Sequence, residues 1–275
     1  MKKLLSIALI TTLGFSSAVF MPYGSYIDYS KESAKDKAVD GGIYFSYYSW
    51  PFKLELGAEY LDIDYKSNIN DYIEKDVTLI GRHYIGNNFE FKLGIRGMFS
   101  SQGSEDNYDE VLMVGLLFYK YLKYNVGLNY YHSMYDGFYV NQFSPHFGIN
   151  FGNYYSDIGS FYLSLGANFI SISNENNANT KDDKYIDADF LLTNYQGPWA
   201  TTIKASVGKN SYKVANEGFV VYNLGEEYKY SFGLDISYSI DKFNTFTIGY
   251  NRSKFTTNGN DAFSNTYLLS YSLSF

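Results

Sequence analysis

Residues that could carry acid–base or nucleophilic chemistry are few in this chain of 275 residues. It contains three histidines, His83, His132 and His146, and no cysteine. One of them has a nucleophile at strand spacing, because Ser144 and His146 are two residues apart and would point to the same side of a β-strand. A catalytic pair of this kind needs a third group that orients the histidine, and no acid or amide stands at a recognisable spacing. We therefore expect no catalytic residues and no enzymatic activity.

The sequence also gives little indication of a metal-binding site. The histidines are widely scattered along the chain, and cysteine ligands are absent. The acidic segment 103–110 contains Glu105, Asp106, Asp109 and Glu110, but this spacing differs from that of a calcium-binding loop. We interpret the segment as a surface loop and expect neither a metal site nor a cofactor.

The dominant pattern of the chain is the alternation of apolar and polar residues. In the segment 89–99, the odd-numbered residues from Phe89 to Phe99 are apolar or glycine, whereas the residues between them include Glu90, Lys92 and Arg96. In a β-strand these two sets point in opposite directions. The same pattern recurs at 124–130, 161–169, 232–240 and 267–275. The second face is mostly small and polar, which suits a water-filled interior better than a packed core.

The aromatic content indicates where such strands would lie. The chain has 31 Tyr and 22 Phe, and a transmembrane barrel uses such residues in two girdles where hydrocarbon meets the lipid headgroups. After the first twenty residues no apolar run is long enough for a membrane-spanning helix. Strands in lipid must close on themselves, because an open edge would leave backbone groups unpaired. The sequence therefore predicts an all-β fold, a transmembrane antiparallel up-and-down β-barrel.

The connections between strands predict their number. Seven longer polar loops alternate with six tighter links, which gives about 14 strands with short periplasmic turns and both ends of the chain in the periplasm. The segment 23–29 is short and could be a periplasmic arm, in which case about 12 strands would remain. The segment 219–240 is too long for an ordinary membrane strand. It could be a hairpin that turns near Glu226-Glu227, but a hairpin there would break the alternation of long and short connections. We therefore interpret it as one strand that projects outward beyond the membrane.

The start of the chain has the order of a secretory signal. Two lysines precede an apolar stretch at 4–12, and small residues follow at 16–18. This order is typical of a signal peptide, 1–18, that is cleaved after Ala18. We expect the remainder, 19–275, to form a single barrel domain.

The net charge narrows the choice of partners. The chain has 22 Lys and Arg against 29 Asp and Glu, a formal net charge of −7. Nucleic-acid binding needs a basic face, so nucleic acid is not expected as a partner.

The last strand carries the most specific motif. The segment Tyr271-Ser272-Leu273-Ser274-Phe275 ends on an aromatic residue that follows alternate hydrophobic positions. In this respect the chain resembles bacterial outer-membrane β-barrel proteins of the porin type, without matching one subfamily. The resemblance implies a Gram-negative outer membrane as the location, with its lipids and lipopolysaccharide around the barrel. It also implies that the barrel assembly machinery reads Tyr271, Leu273 and Phe275 as an assembly signal.

The expected function is that of a porin-like channel for passive diffusion of small polar solutes or ions. Strand alternation places most charged side chains on inward positions, and an Arg or Lys facing lipid near the midplane would cost about 2–4 kcal/mol. The predicted pore-lining residues are Glu55, Glu59, Arg82, Glu90, Lys92, Arg96, Asp187, Asp189, Lys204 and Asp235. The alternatives are a non-transport structural or adhesion barrel and a channel for hydrophobic solutes.

Two arrangements of these charges are open. Arg82, Lys92 and Arg96 lie on the predicted fourth and fifth strands, whereas Asp187 and Asp235 lie on the tenth and twelfth. In a ring of 14 strands the fifth and twelfth are opposite, so basic and acidic walls could set a field across the lumen. Alternatively, the charges pair with one another and hold the barrel open.

One predicted strand breaks the alternation. Val111–Phe118 is apolar on both faces, and its inward residues would be Val111, Met113, Gly115 and Leu117. Such a strip could guide a hydrophobic solute. The simpler interpretation is that an extracellular loop folds into the barrel and covers it.

Overall fold

A computed structural model describes residues 16–32, 34–66, 69–257 and 259–275 of the chain. In these ranges, fourteen long antiparallel strands and one short two-stranded sheet account for the β-structure. The long strands are β1 (Ser16–Ser30), β2 (Lys35–Ser49), β3 (Phe52–Tyr65), β4 (Tyr72–Ile85), β5 (Phe89–Gln102), β6 (Glu105–Lys120), β7 (Tyr124–Tyr135), β8 (Phe138–Gly152), β9 (Ser160–Ile172), β10 (Lys184–Gln196), β11 (Trp199–Asn210), β14 (Glu227–Ser239), β15 (Asn244–Thr257) and β16 (Asn260–Ser274). Each strand pairs with its neighbour along the chain, and β16 pairs with β1 to close the barrel. The predicted fold is confirmed.

The closing pair settles the number of strands. Tyr26 pairs with Tyr267, and the backbone N–H groups of Ala18 and Phe275 each donate to the other residue's carbonyl oxygen, at 2.7 and 2.9 Å. The segment 23–29 is therefore part of a full strand, and the barrel has 14 strands rather than 12. We call the end where β1 begins and β16 ends the base of the barrel, and the opposite end its rim.

Several hairpins at the rim are tighter than the sequence predicted. The segment 103–110, interpreted as a surface loop, instead contains a two-residue turn at 103–104 and the start of β6. Glu105 pairs with Gln102, and Asp106 with Ser101. The prediction was wrong because ladder hydrogen bonds join backbone groups, so polar side chains do not end a strand that already has a partner.

The two faces of the barrel differ as the alternation predicted. On β5, Phe89, Leu93 and Phe99 point outward and are 54%, 51% and 53% exposed, whereas Lys92 and Arg96 point inward and are buried. Other large apolar side chains, among them Leu116 on β6, are also exposed on the outer wall. The barrel thus has an apolar exterior, and its interior carries charged side chains beside two buried apolar clusters. In the part of the chain that the structure describes, no helix is long and apolar enough to span a membrane.

The segment between β11 and β14 folds into the barrel. We call residues 211–226 the lumen hairpin; it contains β12 (Val214–Ala215), a short 3₁₀ turn (Asn216–Gly218) and β13 (Val220–Val221), which pairs with β12. The prediction of one long strand over 219–240 was therefore wrong. Glu217 and Gly218 adopt positive φ angles of 61° and 109°, a conformation that reverses the chain and cannot continue a strand.

Candidate functional site

The lumen hairpin is joined to the wall of the barrel at β8. The backbone N–H of Val214 donates to Oε1 of Gln142 at 2.8 Å, and Nε2 of Gln142 donates to the carbonyl oxygen of Val214 at 2.8 Å. Gln142 is 1% exposed, so water does not compete for its amide, which also donates to Ser144 and Asn168. A buried amide that loses its partners is costly, and this pair of bonds therefore holds the first strand of the hairpin in one register.

A second attachment lies on β10. Nζ of Lys213 contacts Asp187 at 2.6 Å and Asp189 at 2.7 Å. Asp187 also accepts hydrogen bonds from Ser206 at 3.0 Å and from Asn210 at 2.8 Å. A lysine of the hairpin thus pairs with both predicted pore-lining acids of β10 and balances one of their two negative charges.

The tip of the hairpin reaches the opposite side of the lumen. A carboxylate oxygen of Glu217 lies 2.5 Å from Nζ of Lys92 and 3.6 Å from Nη2 of Arg82. Glu217 belongs to the hairpin and lies outside the spanning strands. Burial alone would raise the pKa of its carboxyl, but the neighbouring Lys92 ammonium and Arg82 guanidinium lower the pKa below its ordinary value. Glu217 is therefore ionised at neutral pH and pairs with a predicted pore-lining lysine.

Arg82 connects β4 to both adjacent strands. Its guanidinium pairs with Glu55 on β3, and Nη1 contacts Glu90 on β5 at 2.7 Å. Lys53 also contacts Glu55, at 2.8 Å. These groups form one ion-pair network on the inner wall.

Arg96 forms the most buried ion pairs of this wall. It pairs with Asp76 on β4, and Nη2 lies 3.1 Å from Glu59 on β3. Nη1 donates to the carbonyl oxygen of Phe219 in the lumen hairpin at 2.7 Å. The side chains of Arg96 and Asp76 are each 3% exposed. Arg96 therefore links three strands to the hairpin.

The structure places the ten predicted pore-lining residues in three groups. Lys204 and Asp235 form a separate pair at 2.6 Å between β11 and β14, and Asp187 and Asp189 meet Lys213 on β10. The remaining six lie together on β3, β4 and β5: Glu55, Glu59, Arg82, Glu90, Lys92 and Arg96. The geometry favours the paired arrangement of charges over two open walls of opposite sign. Their role in lining a pore stays a prediction.

Four residues of this site were not predicted from the sequence. Asp76 shares the inward face of β4 with Arg82, so strand alternation could have found it. Gln142 lies on the same face of β8 as Ser144, but its partner could not be predicted. Lys213 and Glu217 lie in a polar segment whose composition predicts a loop between two strands. No local pattern indicates that this segment turns into the lumen.

The hairpin also covers the apolar strip of β6. Val111 and Met113 are 0% and 1% exposed and pack with Val214 of the hairpin. Gly218 lies so close to this strip that a Cβ atom there would be 2.1 Å from the sulfur of Met113. For these two residues the interpretation of a covering loop is confirmed. Leu117, nearer the base, lines a cavity instead.

Ser144 and His146 do not form a bonded pair. The Ser144 hydroxyl donates to Oδ1 of Asn168 at 2.7 Å and accepts from Gln142 at 2.8 Å. His146 lies against Gly127 of the neighbouring strand. The two residues share a face of β8 as predicted, but the serine is hydrogen-bonded to two amides.

Two cavities occupy the lumen below the hairpin. The first, of about 480 Å³, opens at the base among aromatic side chains that include Trp50 and Tyr84. The second, of about 410 Å³, lies under the tip of the hairpin against β6 to β10. Leu117 and Asn125 line both, so the two spaces adjoin. Together they lead from the base of the barrel to the underside of the hairpin.

The barrel can now be compared with known proteins. No protein-family model matches the sequence, and no curated protein matches it. The structure aligns with the CymD monoaromatic hydrocarbon channel at a TM-score of 0.63 and 10% identity, over 98% of this chain and 92% of that one. It aligns with the toluene transporter TbuX of Ralstonia pickettii at a TM-score of 0.64 and 8% identity, over 95% and 90%. A bacterial polysaccharide outer membrane secretin gives 0.58 and 12%, over 94% and 98%. At these identities the likeness shows the fold alone, which is that of the bacterial outer-membrane β-barrels.

Proposed function

We propose that the protein is an outer-membrane channel for passive diffusion of small polar solutes. The observation that carries this proposal is the polar lumen, in which adjoining cavities lead from the base to the lumen hairpin. The apolar outer wall supports a membrane location, because exposed side chains such as Leu93 and Leu116 are stable only against lipid tails. Outer-membrane lipids and lipopolysaccharide would then surround the barrel.

The choice of solute rests on the inner wall. Two of the structural neighbours are described as carriers of aromatic hydrocarbons, and an apolar strip would suit such a solute. In this chain the lumen hairpin covers Val111 and Met113. Glu217 of the same hairpin pairs with Lys92 on the strand next to β6. A polar solute is therefore favoured over a hydrophobic one.

A structural or adhesion barrel without transport is the second candidate. The attachments of the lumen hairpin to β2, β4, β5, β8 and β10 favour it, since a hairpin held on so many strands could close the lumen. The two candidates differ in whether ions pass through the barrel.

Conductance separates these candidates. The purified full-length protein, refolded in detergent and inserted into planar lipid bilayers, is expected to show discrete current steps. Such steps require that hydrated ions pass the lumen hairpin and cross the whole barrel. The boiled protein in the same detergent is the control. A barrel that inserts, as judged by protease protection in vesicles, but carries no current would reject the channel and favour the structural role.

The terminal residue is expected to control assembly. Changing Phe275 to Ser should markedly reduce the amount of folded barrel in the outer membrane, since the assembly machinery would read the terminal aromatic residue. The measurement is the fraction of protein in outer-membrane extracts that migrates differently before and after boiling. Ser274→Ala, on the adjacent inward position, is the matched control. Equal folded fractions for both variants would contradict the proposed assembly signal.

Export by a signal peptide is part of the same proposal. Residues 1–15 of the predicted signal lie outside the described residues, and Ser16 to Ala18 lie in β1. Cleavage after Ala18 would remove the hydrogen bonds between Ala18 and Phe275 and leave Val19, which pairs with Ser274, as the first residue of the mature barrel. N-terminal sequencing of protein from outer-membrane extracts is expected to begin at Val19. A sequence that begins at Met1 would contradict cleavage.

A further inference from the structure

The cavity under the lumen hairpin has features of a binding site rather than of a simple passage. It measures about 410 Å³, within the range of about 300–1,000 Å³ that small-molecule sites occupy. Its polar lining comes from several adjacent strands and includes Asn125, Asn129, His146 and Tyr162. We propose that this cavity is a subsite for a neutral, polyhydroxylated solute of the size of a mono- or disaccharide. The inference rests on the proposed channel function and names the class of its solute.

Glycines create the space for this lining. A Cβ atom on Gly127 of β7 would lie 2.3 Å from Cε1 of His146, and one on Gly148 of β8 would lie 2.3 Å from the Tyr162 hydroxyl oxygen. Each larger side chain therefore lies along the wall over a glycine of the neighbouring strand. Any other residue at Gly127 or Gly148 would push these side chains into the cavity. The wall is recessed at the place where the polar groups are concentrated.

One polar atom of the recess has no partner within the described part of the chain. Oδ1 of Asn125 is buried and accepts no hydrogen bond, whereas Nδ2 of the same amide donates to the Tyr162 hydroxyl at 3.1 Å. Buried amide oxygens are nearly always hydrogen-bonded in folded proteins. Because Asn125 lines both cavities, rotation of its amide would bring this oxygen to a donor that enters from the lumen, such as a solute hydroxyl.

The charged side chains of the lining already have partners. Asp189 is paired with Lys213 at 2.7 Å, and Glu217 with Lys92 at 2.5 Å. The groups left for a solute are amides, hydroxyls and an imidazole, which both donate and accept hydrogen bonds. A solute hydroxyl also does both, so a polyol can satisfy several of these groups at once. An anionic solute has no counterpart here, because the described residues of the lining include no Lys or Arg, and the lining carboxylates already have cationic partners.

An aromatic hydrocarbon fits the same cavity poorly. It would displace water from Asn125, Asn129 and His146 without replacing the lost hydrogen bonds, and each polar group left without a partner costs binding free energy. Tyr162 also lines the cavity, and an aromatic ring can pack against the C–H face of a sugar. The polar lining therefore favours a polyol over an aromatic hydrocarbon as the solute of this cavity.

Binding can be measured without a conducting pore. Saturation-transfer NMR on the full-length barrel in detergent, with sucrose as the probe, is expected to show transfer to the sugar protons. Changing Asn125 and Asn129 together to Leu keeps the branched shape of each side chain and removes both amides. This double variant should weaken sucrose binding by about tenfold or more, the effect of losing two net hydrogen bonds. The matched control, Ser237→Ala with Thr247→Val, removes a polar pair from the opposite wall and should bind like wild type.

Three results would overturn the subsite. They are no transfer to sucrose in the folded wild-type barrel, equal binding by the double variant and the wild type, or transfer to toluene but not to sucrose. If the double variant does not show heat-modifiable folding, Asn129→Ala is tested against Thr247→Ala with the same readout. Current recordings test the channel separately. Sucrose binding to a barrel that carries no current would reject the channel and support the subsite. Current without sucrose binding would support the channel and reject the subsite.

Discussion

Removal of the lumen hairpin is expected to raise the single-channel conductance several-fold. Replacing residues 211–226 with a short Gly-Ser turn keeps β11 and β14 paired, because these strands are neighbours in the barrel. It removes backbone and side chains that cross the lumen from Lys213 at β10 to Glu217 at β5. The ion path then has the width of the bare barrel, and hydrated ions meet fewer fixed groups. The measurement is the current step in planar bilayers at one fixed salt concentration.

A shortened turn at the base provides the control for this experiment. The segment 153–159 connects β8 to β9 outside the lumen, and its Tyr154 hydroxyl donates to the carbonyl oxygen of Gly197 at 2.9 Å. A deletion there tests whether shortening any connection changes the current. Equal conductance of the hairpin deletion and the wild type would show that the hairpin does not restrict the path. In that case the restriction must lie on the strands themselves.

Substitution of Arg96 by Met is expected to cause the largest loss of stability. The guanidinium pairs with Asp76 and Glu59 and donates to the carbonyl oxygen of Phe219. Its loss leaves a carboxylate that is 3% exposed without its counterion. Removing one partner of a buried ion pair typically costs about 3–5 kcal/mol, because the other charge stays buried and unpaired. The free energy of unfolding is measured by urea titration of the barrel in lipid vesicles.

The matched control for Arg96 is another cation of the lumen. Lys204 pairs with Asp235 at 2.6 Å, but its side chain is 39% exposed. Lys204→Met should cost only about 0–1 kcal/mol, as is usual for ion pairs that water can reach. Adding Asp76→Asn to the Arg96→Met variant should recover part of the loss, since a neutral amide is cheaper to bury than a carboxylate. Equal unfolding free energies for Arg96→Met and Lys204→Met would refute the role of Arg96 as the central ion-pair residue.

The parts of the fold that were predictable depend on neighbouring residues in the chain. Alternation is a local property, so the strands, the closed barrel and the inward direction of residues such as Lys92 could be predicted from the sequence. The same reasoning applies to Asp76, whose face follows from that of Arg82, because the two residues are six positions apart on β4. Strand ends were harder to predict, because the segment 103–110 pairs through its backbone although its side chains are polar.

The parts that were missed depend on residues that are distant in the chain. Lys213 meets Asp187, Glu217 meets Lys92, and Val214 meets Gln142 only because closure of the barrel brings β5, β8 and β10 around one lumen. A polar segment such as 211–226 has the same composition whether it projects into water or folds inward. The positive φ angles of Glu217 and Gly218, which turn the hairpin back, also leave no simple pattern in the sequence.

The pairing of β1 with β16 has a consequence for the order of folding. The other adjacent strands of the wall meet their partners across connections of at most a few tens of residues, and such contacts form early because little chain entropy is lost. Tyr26 and Tyr267, in contrast, are separated by most of the chain. Their contact is therefore the slow, long-range step, and until it forms β1 and β16 present two unpaired edges to their surroundings. A chain that stalls at this stage would be a curved open sheet prone to pair with other chains, so closure time determines how long the protein needs protection from aggregation.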